Sequence, residues 1–177
     1  MTDDIGISAF AAEDLRENLG ELGGLLNACV HGGASISFVL PHSQADSEAF
    51  WLDKVLPGVA DGTRLLLVAK KGGRIAGSVQ LNGDMPPNQP HRAEVNKLLV
   101  HPDFRRSGIG RRLMAELEQR AAAAGRSLIT LDTRSGDKAE PLYAGLGYRT
   151  VGIIPGFARD PMGGERLDPT TIMYKTL

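Results

Sequence analysis

The spacing of hydrophobic residues changes along the first third of the chain. A short apolar run at residues 5–10 (IGISAF) predicts a strand. Apolar residues then recur every three or four positions over residues 11–30, which predicts a helix, although its Gly23-Gly24 pair disfavours a helix interior. A second helical pattern covers residues 43–56 and is predicted to end at the Pro57-Gly58 pair. The chain therefore begins with a strand and two helices.

The middle of the chain has the pattern of a sheet followed by a helix. Residues 63–81 predict two strands joined by a turn at Lys71-Gly72-Gly73, and residues 92–100 (RAEVNKLLV) predict a third. Because alternate residues of a strand point the same way, Glu94 is expected to share a face with Asn96, Leu98 and Val100. Residues 108–124 then show a regular helical stripe that ends at Gly125.

The last third of the chain completes the predicted sheet. Residues 127–132, 148–157 and 170–177 predict strands, and residues 138–147 predict a short helix with Pro141 in its first turn, where proline is tolerated. The predicted order is β-α-α-β-β-β-α-β-α-β-β, an α/β fold with a mixed sheet flanked on both faces by helices. A length of 177 residues is typical of one domain, so residues 1–177 are predicted to form a single one.

Composition and charge exclude several classes of function. A formal net charge of −1 gives no broad basic surface for nucleic acid. No apolar run approaches the ~20 residues of a membrane span, and the acidic start MTDDIGIS is unlike a signal peptide. A single cysteine, Cys29, excludes an internal disulfide and is expected to be buried and inert, and the four histidines lack metal-ligand spacing. We expect a cytoplasmic protein without a metal.

One segment carries a recognisable chemical pattern, the passage from the third sheet strand into the long helix. The unpaired N–H groups of a helix start and the helix dipole favour an anion there. Gly108 and Gly110 remove side chains where a phosphate must approach, and arginines flank them. A dinucleotide fingerprint needs a third glycine and a nucleotide P-loop needs Gly-Lys-Ser/Thr, and both are absent. The pattern alone leaves open a tight turn without a ligand.

The motif Arg105-x-x-Gly108-x-Gly110 after Leu98-Leu99-Val100 resembles the acetyl-CoA signature of the GNAT family of N-acetyltransferases. The predicted element order and the segment AEPLYAGLGY also resemble that family. The resemblance implies acetyl-CoA as cosubstrate, with its pantetheine arm beside Leu98, Leu99 and Val100. It also implies a pyrophosphate site on one turn, formed by Arg105, Arg106, Ser107, Gly108, Ile109, Gly110 and Arg111. Gly136 stands where many relatives have an asparagine, so a contact from that side chain to CoA is lost.

Amine acetylation needs a base for the attacking amine and a proton for the leaving thiolate. Glu94 is the first candidate for the base because it matches the general-base glutamate of several GNAT relatives, with a solvated carboxylate as the alternative interpretation. Asp132 ends the strand that borders the cleft in this fold, where a carboxylate could bind the substrate ammonium or share the base role, or could only cap a turn. Tyr143 matches a tyrosine near the CoA sulfur, whose hydroxyl can protonate the leaving thiolate, with helix packing as its alternative.

The loop HGGASISFVLP at residues 31–41 bears on the choice of acceptor. An esterase interpretation of His-Gly-Gly needs Gly-x-Ser-x-Gly, which the chain lacks. This loop, with several later segments, resembles the tabtoxin-resistance type of GNAT enzyme. The resemblance implies a small amine-bearing, amino-acid-like acceptor, such as a toxin or antibiotic, with His31 and Ser35 as polar contacts. The alternatives are a lysine or N-terminal protein acetyltransferase and a non-catalytic acyl-CoA-binding module. The sequence leaves open whether the late strands pair in a homodimer.

Overall fold

The structure, a computed structural model, describes residues 5–177. The first four residues of the predicted domain, and with them part of the acidic start considered above, lie outside the described residues. The first strand, β1 (Ile5–Ala9), leads into four helices that form one layer of the molecule.

The predicted helix over residues 11–30 is two helices, α1 (Ala12–Glu17) and α2 (Leu19–His31). The break falls at Asn18, whose side-chain amide donates a hydrogen bond to the Asp14 carbonyl at 2.8 Å. Gly23 lies inside α2 because a Cβ there would lie 2.6 Å from the side chain of Gln44, on the next helix. The glycine that weakens the local helix pattern therefore permits close helix packing.

The second predicted helix continues past its expected end. It runs through α3 (Gln44–Phe50), a π-helical turn (Trp51–Val55) and α4 (Leu56–Asp61). The predicted stop at Pro57-Gly58 is wrong because Pro57 occupies the first turn of α4, where a missing N–H costs no helical hydrogen bond. The helix instead ends at Gly62, which adopts the left-handed conformation with φ +81°.

Seven strands form one mixed sheet, as the sequence predicts. After β1, the strands are β2 (Arg64–Lys71), β3 (Arg74–Asn82), β4 (Arg92–Val100), β5 (Leu128–Arg134), β6 (Arg149–Arg159) and β7 (Leu167–Thr176). Their spatial order is β1-β2-β3-β4-β5-β7-β6. Every neighbouring pair is antiparallel except β4 and β5, which run parallel. The remaining helices are α5 (Ile109–Ala123) and α6 (Ala139–Gly145), and a short 3₁₀ turn (Pro102–Phe104) follows β4.

The parallel pair β4–β5 is joined over three residue pairs only, from Arg92–Leu128 to Glu94–Thr130. At that end the Arg126 guanidinium donates hydrogen bonds to the carbonyls of Pro90 at 2.7 Å and Arg92 at 3.0 Å. Beyond Glu94 the two strands separate. The sheet therefore has a closed end, fixed by Arg126, and an open end between the later parts of β4 and β5.

A β-bulge alters the direction of side chains in the second half of β4. Lys97 adopts φ +50°, and the register with β3 shifts between Asn96 and Leu99. Ala93 and Val95 pack in the core on the α5 side, and beyond the bulge Leu98 and Val100 pack there instead. The expectation that Glu94 shares a face with Leu98 and Val100 is wrong, since the extra residue reverses the alternation.

The core has two parts, one on each face of the sheet. The first packs α5 against the sheet and includes Leu113, Leu117 and Met173. The second packs α2 and the helices after it against the opposite face and includes Leu22, Trp51 and Leu66. Each helix layer buries its apolar side chains against one face of the sheet, so both faces are covered. Within residues 5–177, no helix has the length and apolarity needed to cross a membrane.

Candidate active site

A cleft of about 240 Å³ lies where β4 and β5 separate. The start of α6 and the loop that follows α2 complete its walls. The residues that line it are Ala34, Ser35, Ile36, Ser37, Val95, Asn96, Lys97, Leu98, Asp132, Thr133, Arg134, Asp137, Ala139 and Tyr143. Opposite charges from β4 and β5 therefore face one small space.

The glycine turn before α5 has the backbone of an anion site. Gly108 is the N-cap of α5 with φ +79°, and no side chain caps the helix start. The first turn of α5 has no acidic residue, so the partial positive charge there is unopposed. The Ser107 hydroxyl donates a hydrogen bond to the Phe104 carbonyl, which closes the preceding turn. These features fit a phosphate group supplied by a ligand.

The two glycines of this turn serve different purposes. A Cβ on Gly108 would meet no atom within 4 Å, so its role is the left-handed φ and the open space beside the N–H groups. A Cβ on Gly110 would lie 3.2 Å from Leu142 of α6 and 3.9 Å from Leu98 of β4. Gly110 thus brings the start of α5 close to Leu98, which also lines the cleft.

The arginines of the turn are exposed, and two of them lie beside neighbouring helices. A Cβ on Gly32 would lie 3.4 Å from a terminal nitrogen of Arg105, so that guanidinium reaches the C-terminal end of α2. A cation is favourable there because of the helix dipole. Arg111 extends toward Gly145, at the end of α6. Arg106 adopts φ +64° and, like Ile109 and Ser107, contributes its backbone to the turn.

The predicted pantetheine strand is the open edge of β4. Leu98 and Val100 are half-buried against the α5 side of the core, whereas Leu99 is buried on the other side. No residue of β5 pairs with β4 beyond Glu94 within the described residues. Past Glu94, β4 therefore has no strand partner on the β5 side, and Leu98 lines the cleft there, which is the geometry that accepts an extended ligand.

The two predicted carboxylates occupy different ends of this strand pair. Glu94 belongs to the closed end, where its Oε1 accepts a hydrogen bond from Arg92 Nη1 at 2.7 Å, and it does not line the cleft. Asp132 is exposed in the open end and lines the cleft, where its Oδ2 accepts a hydrogen bond from the Thr170 hydroxyl at 3.0 Å. Among residues 5–177, Asp132 has no ion-pair partner.

Tyr143, on α6, lines the cleft with most of its ring buried. The ring packs edge-to-face on Tyr148 at a centroid distance of 5.8 Å. Burial, together with the negative charge of Asp132, raises the pKa of the Tyr143 phenol well above its usual range. The phenol therefore keeps its proton and remains a hydrogen-bond donor at neutral and moderately alkaline pH.

The loop after α2 covers one side of the cleft. Ser35 lines the cleft, whereas His31 does not, because its ring nitrogen bonds the His42 carbonyl at 2.9 Å. Two contacts hold the loop. The Leu40 N–H donates to the Pro161 carbonyl at 2.9 Å, and Arg134 donates to the Gly33 carbonyl at 3.1 Å.

The sequence analysis did not predict three residues that line the cleft, Ser37, Lys97 and Arg134. Arg134 bonds Asp137 at 3.0 Å, and the Lys97 ammonium donates to the Ser37 hydroxyl at 2.9 Å. The sole sequence hint was a lysine inside an otherwise apolar strand end, KLLV. Residues 5–177 contain no cluster of His, Cys, Asp and Glu suited to a metal ion.

Similar proteins agree on the family. The model of the acetyltransferase (GNAT) family matches residues 34–148. An uncharacterized N-acetyltransferase from the hisH-hisA intergenic region of Azospirillum brasilense is 32% identical over 63% of this chain and 66% of its own. The acetyltransferase ECA0875 of Pectobacterium atrosepticum is 40% identical over 51% of this chain and 61% of its own. The matches thus span less than two thirds of either relative.

Solved structures agree on the fold. The yncA protein of Salmonella typhimurium, described as an acetyltransferase and determined with its cofactor acetyl-CoA, superposes with a TM-score of 0.74 at 18% identity. That alignment covers 97% of this chain and 93% of the Salmonella protein. Together with the family match over more than half of the sequence and the glycine turn before α5, these similarities show that the chain belongs to the GNAT family of acetyltransferases.

Proposed function

We propose that this protein is an acetyl-CoA-dependent N-acetyltransferase that acts on a small amine. The observation that carries the proposal is the proximity of two features. The uncapped start of α5 adjoins Leu98, and Leu98 lines the same cleft as Asp132 and Tyr143. The proposed anion site thus adjoins the cleft that contains the proposed acid–base groups, as a transfer from a phosphate-bearing cosubstrate requires.

The cosubstrate, acetyl-CoA, supplies an acetyl group activated as a thioester. The backbone N–H groups of Gly108, Ile109, Gly110 and Arg111 would hold its pyrophosphate, and Arg105, Arg106 and Ser107 would shape and charge that turn. The unpaired edge of β4 at Leu98, Leu99 and Val100 would bind its extended arm by main-chain hydrogen bonds. The match to the family signature supports both assignments.

Asp132 replaces Glu94 as our first candidate for the general base, because Asp132 lines the cleft and Glu94 does not. An alkyl ammonium must lose a proton before it attacks, and an exposed carboxylate without an ion-pair partner is free to bind the cation and accept that proton. Glu94 remains a second candidate that acts through water, because its carboxylate is bonded to Arg92 outside the cleft. In this second scheme Glu94, at the closed end, would accept the proton through water while the open end binds the amine.

Tyr143 is proposed to donate a hydrogen bond to the departing sulfur. The raised pKa of its phenol has a definite consequence, because an ordinary thiol has a pKa of about 8.5 and a full proton transfer from this phenol would be unfavourable. The phenol therefore stabilises the thiolate as a donor, and solvent supplies the proton afterwards.

The acceptor is proposed to be small and amino-acid-like, such as a toxin or antibiotic of the tabtoxin type. A cleft of about 240 Å³, covered on one side by Ala34–Ser37, suits a small molecule better than a peptide. Ser35 is the contact that we favour in this loop, whereas His31 already bonds the His42 carbonyl. The two competing proposals are a protein acetyltransferase and a non-catalytic acyl-CoA-binding module.

The deciding experiment follows thiol release from acetyl-CoA with purified full-length protein. The panel contains amino acids, tabtoxinine-β-lactam, aminoglycosides, polyamines and peptides with free N-termini, and mass spectrometry detects the gain of one acetyl group. We expect a small amino-acid-like amine to accelerate release. Acceleration by peptides alone would favour a protein acetyltransferase. Acetyl-CoA binding with no acceleration by any amine would favour the binding module.

The outer edge of the sheet at β6 supports a second copy of this chain as a partner, in a homodimer. β6 is the last strand of the sheet, and its Val151, Ile153 and Phe157 side chains are exposed. Exposed apolar groups on an edge strand favour pairing with a second strand. Sedimentation of the purified protein would separate a dimer from a monomer.

A further inference from the structure

Lys97 is held in the cleft by contacts that fix its ammonium group. The Nζ atom donates a hydrogen bond to the Ser37 hydroxyl at 2.9 Å. It also lies 5.7 Å from the ring centroids of both Phe38 and Phe50. Cation–π contacts of this kind favour a charged ammonium over a neutral amine. The two rings meet edge-to-face. Together with the bulge in β4, they fix the position of a positive charge at the cleft wall.

This charge has no carboxylate partner among residues 5–177. Arg134, the other cation of the cleft, differs because Asp137 pairs with it at 3.0 Å. Burial is the main cause that lowers the pKa of Lys97, the negative charge of Asp132 opposes it, and the positive charge of Arg64 adds a smaller lowering. A lysine that is partly desolvated and unpaired is unfavourable unless another group compensates it.

The ammonium retains donors for such a group. An ammonium has three N–H donors, and the Ser37 hydroxyl accepts only one of them. Lys97 lines the cleft, so the other donors have access to a ligand there. Asp132 lines the same cleft from β5, and its carboxylate also lacks an ion-pair partner in the described chain. Asp132 is close enough to Lys97 for its negative charge to raise the pKa of the lysine.

We propose that Lys97 binds a carboxylate of the acceptor, so that the acceptor is a small dipolar amine whose ammonium is held by Asp132 and whose carboxylate is held by Lys97. This inference rests on the proposed acetyltransferase function and narrows its substrate class. It makes Lys97 a residue that determines specificity rather than one that moves protons. An amine without a carboxylate would leave the Lys97 charge uncompensated and would bind more weakly.

The kinetic test compares matched acceptors. The twenty L-amino acids and their carboxamides are assayed by thiol release from acetyl-CoA with wild-type protein, Lys97→Met, Lys97→Arg and the control Lys54→Met. Lys54 is exposed and lies outside the cleft. For accepted side chains, we expect the acid to exceed its carboxamide at least about tenfold in kcat/KM. We expect Lys97→Met to remove that preference through KM with little change in kcat.

Lys97→Arg, which keeps the charge, and Lys54→Met, which removes a charge outside the cleft, act as internal checks. Lys97→Arg should restore part of the preference for the acid because it keeps a cation, and Lys54→Met should match the wild type. Thermal melting tests whether Lys97→Met remains folded. Equal use of acids and carboxamides by the wild-type protein, or an equal loss for both in Lys97→Met, would overturn the inference while leaving an acetyltransferase in place.

A binding measurement separates this inference from the proposed function. N-acetyl-L-amino acids and N-acetyl amino acid amides, which are product analogues that need no turnover, are titrated into the protein with CoA by calorimetry. We expect the acids to bind at least about tenfold more tightly than the amides, and the difference to vanish in Lys97→Met. Tight binding of the acids without any amine turnover would refute the proposed function and keep the carboxylate site. Equal binding of both series would refute the site.

Discussion

Glu94 and Asp132 are carboxylates on adjacent parallel strands, yet they differ in their charged neighbours and in access to the cleft. Glu94 lies where the strands are paired, and its side chain, 41% exposed, is bonded to Arg92. Asp132 lies two residues beyond the last strand pair, in the open cleft beside Tyr143. The neighbouring cation holds the first carboxylate in place, whereas the second is available to an incoming ammonium.

The difference shows how strand separation leaves a carboxylate accessible in the cleft. Side chains at the paired end bond to their own neighbours, and Arg92 also donates to the Thr130 hydroxyl across the two strands at 3.0 Å. At the open end β4 and β5 do not pair, and Asp132 and Lys97 line the cleft there without an ion-pair partner among the described residues. The distinction between the two carboxylates follows from their position along one pair of strands rather than from residue type.

The largest effect is expected for Asp132→Asn. If Asp132 holds and deprotonates the amine, kcat/KM for the acceptor should fall by about 10²–10⁴-fold, the usual contribution of a general base. Steady-state kinetics of thiol release would measure it, with Asp53→Asn as the exposed control. A loss below threefold would remove Asp132 from the chemistry.

Tyr143→Phe should have the next largest effect. Loss of the donor should lower kcat by about tenfold or more, which corresponds to about 1.4 kcal/mol of barrier, with the KM for acetyl-CoA unchanged. Because burial and Asp132 raise the pKa of the phenol, the wild-type protein should show no alkaline loss of activity at the ordinary tyrosine pKa of about 10. Tyr174→Phe on β7 serves as the control. A kcat equal to that of the wild type would reduce Tyr143 to a packing residue.

Glu94→Gln should have a smaller effect than either. The amide keeps the size of the side chain, and the exposed ion pair that it removes is worth about 0.2–1 kcal/mol at most. We expect less than about a tenfold fall in kcat/KM, measured under the conditions used for Asp132→Asn. A loss as large as that of Asp132→Asn would move the base to Glu94 and erase the contrast between the two ends.

The smallest effect is expected for Cys29→Ala. Burial raises the pKa of the Cys29 thiol to about 11, and its Sγ donates to the Val100 carbonyl at 3.5 Å. Since only about a thousandth of the thiol is ionised at pH 8, a thiol reagent should label the unfolded chain far faster than the native protein. Activity should stay within about twofold of the wild type. Rapid labelling of native protein would contradict this assignment.

The parts of the fold that the sequence predicts depend on local rules. Period-two and period-3.6 patterns locate the strands and α5, and two glycines locate the turn at Gly108–Gly110. The bulge at Lys97 escapes these rules because no glycine marks its positive φ. Helix α4 continues past Gly58, and α2 retains Gly23, because tertiary packing outweighs local propensity.

The candidate site divides in the same way. The glycine turn follows from the residue pattern, whereas the roles of the β4 edge, Asp132 and Tyr143 come from resemblance to a family. Lys97, Ser37 and Arg134 escape prediction because their meeting depends on how the loop after α2 folds over the sheet. Contacts between residues 60 positions apart, such as Lys97 with Ser37, have no local signature.

The short seam between β4 and β5, the three residue pairs that join these strands at the closed end, has an evolutionary consequence. Arg126 and the pairs from Arg92–Leu128 to Glu94–Thr130 join the two halves of the sheet, so positions past the seam make no hydrogen bonds between these strands. Substitutions there change the cleft without removing the bonds that join the sheet. The residues that line the cleft are therefore free to diverge during evolution while the sheet persists, because substitutions in the cleft leave the hydrogen bonds between β4 and β5 intact.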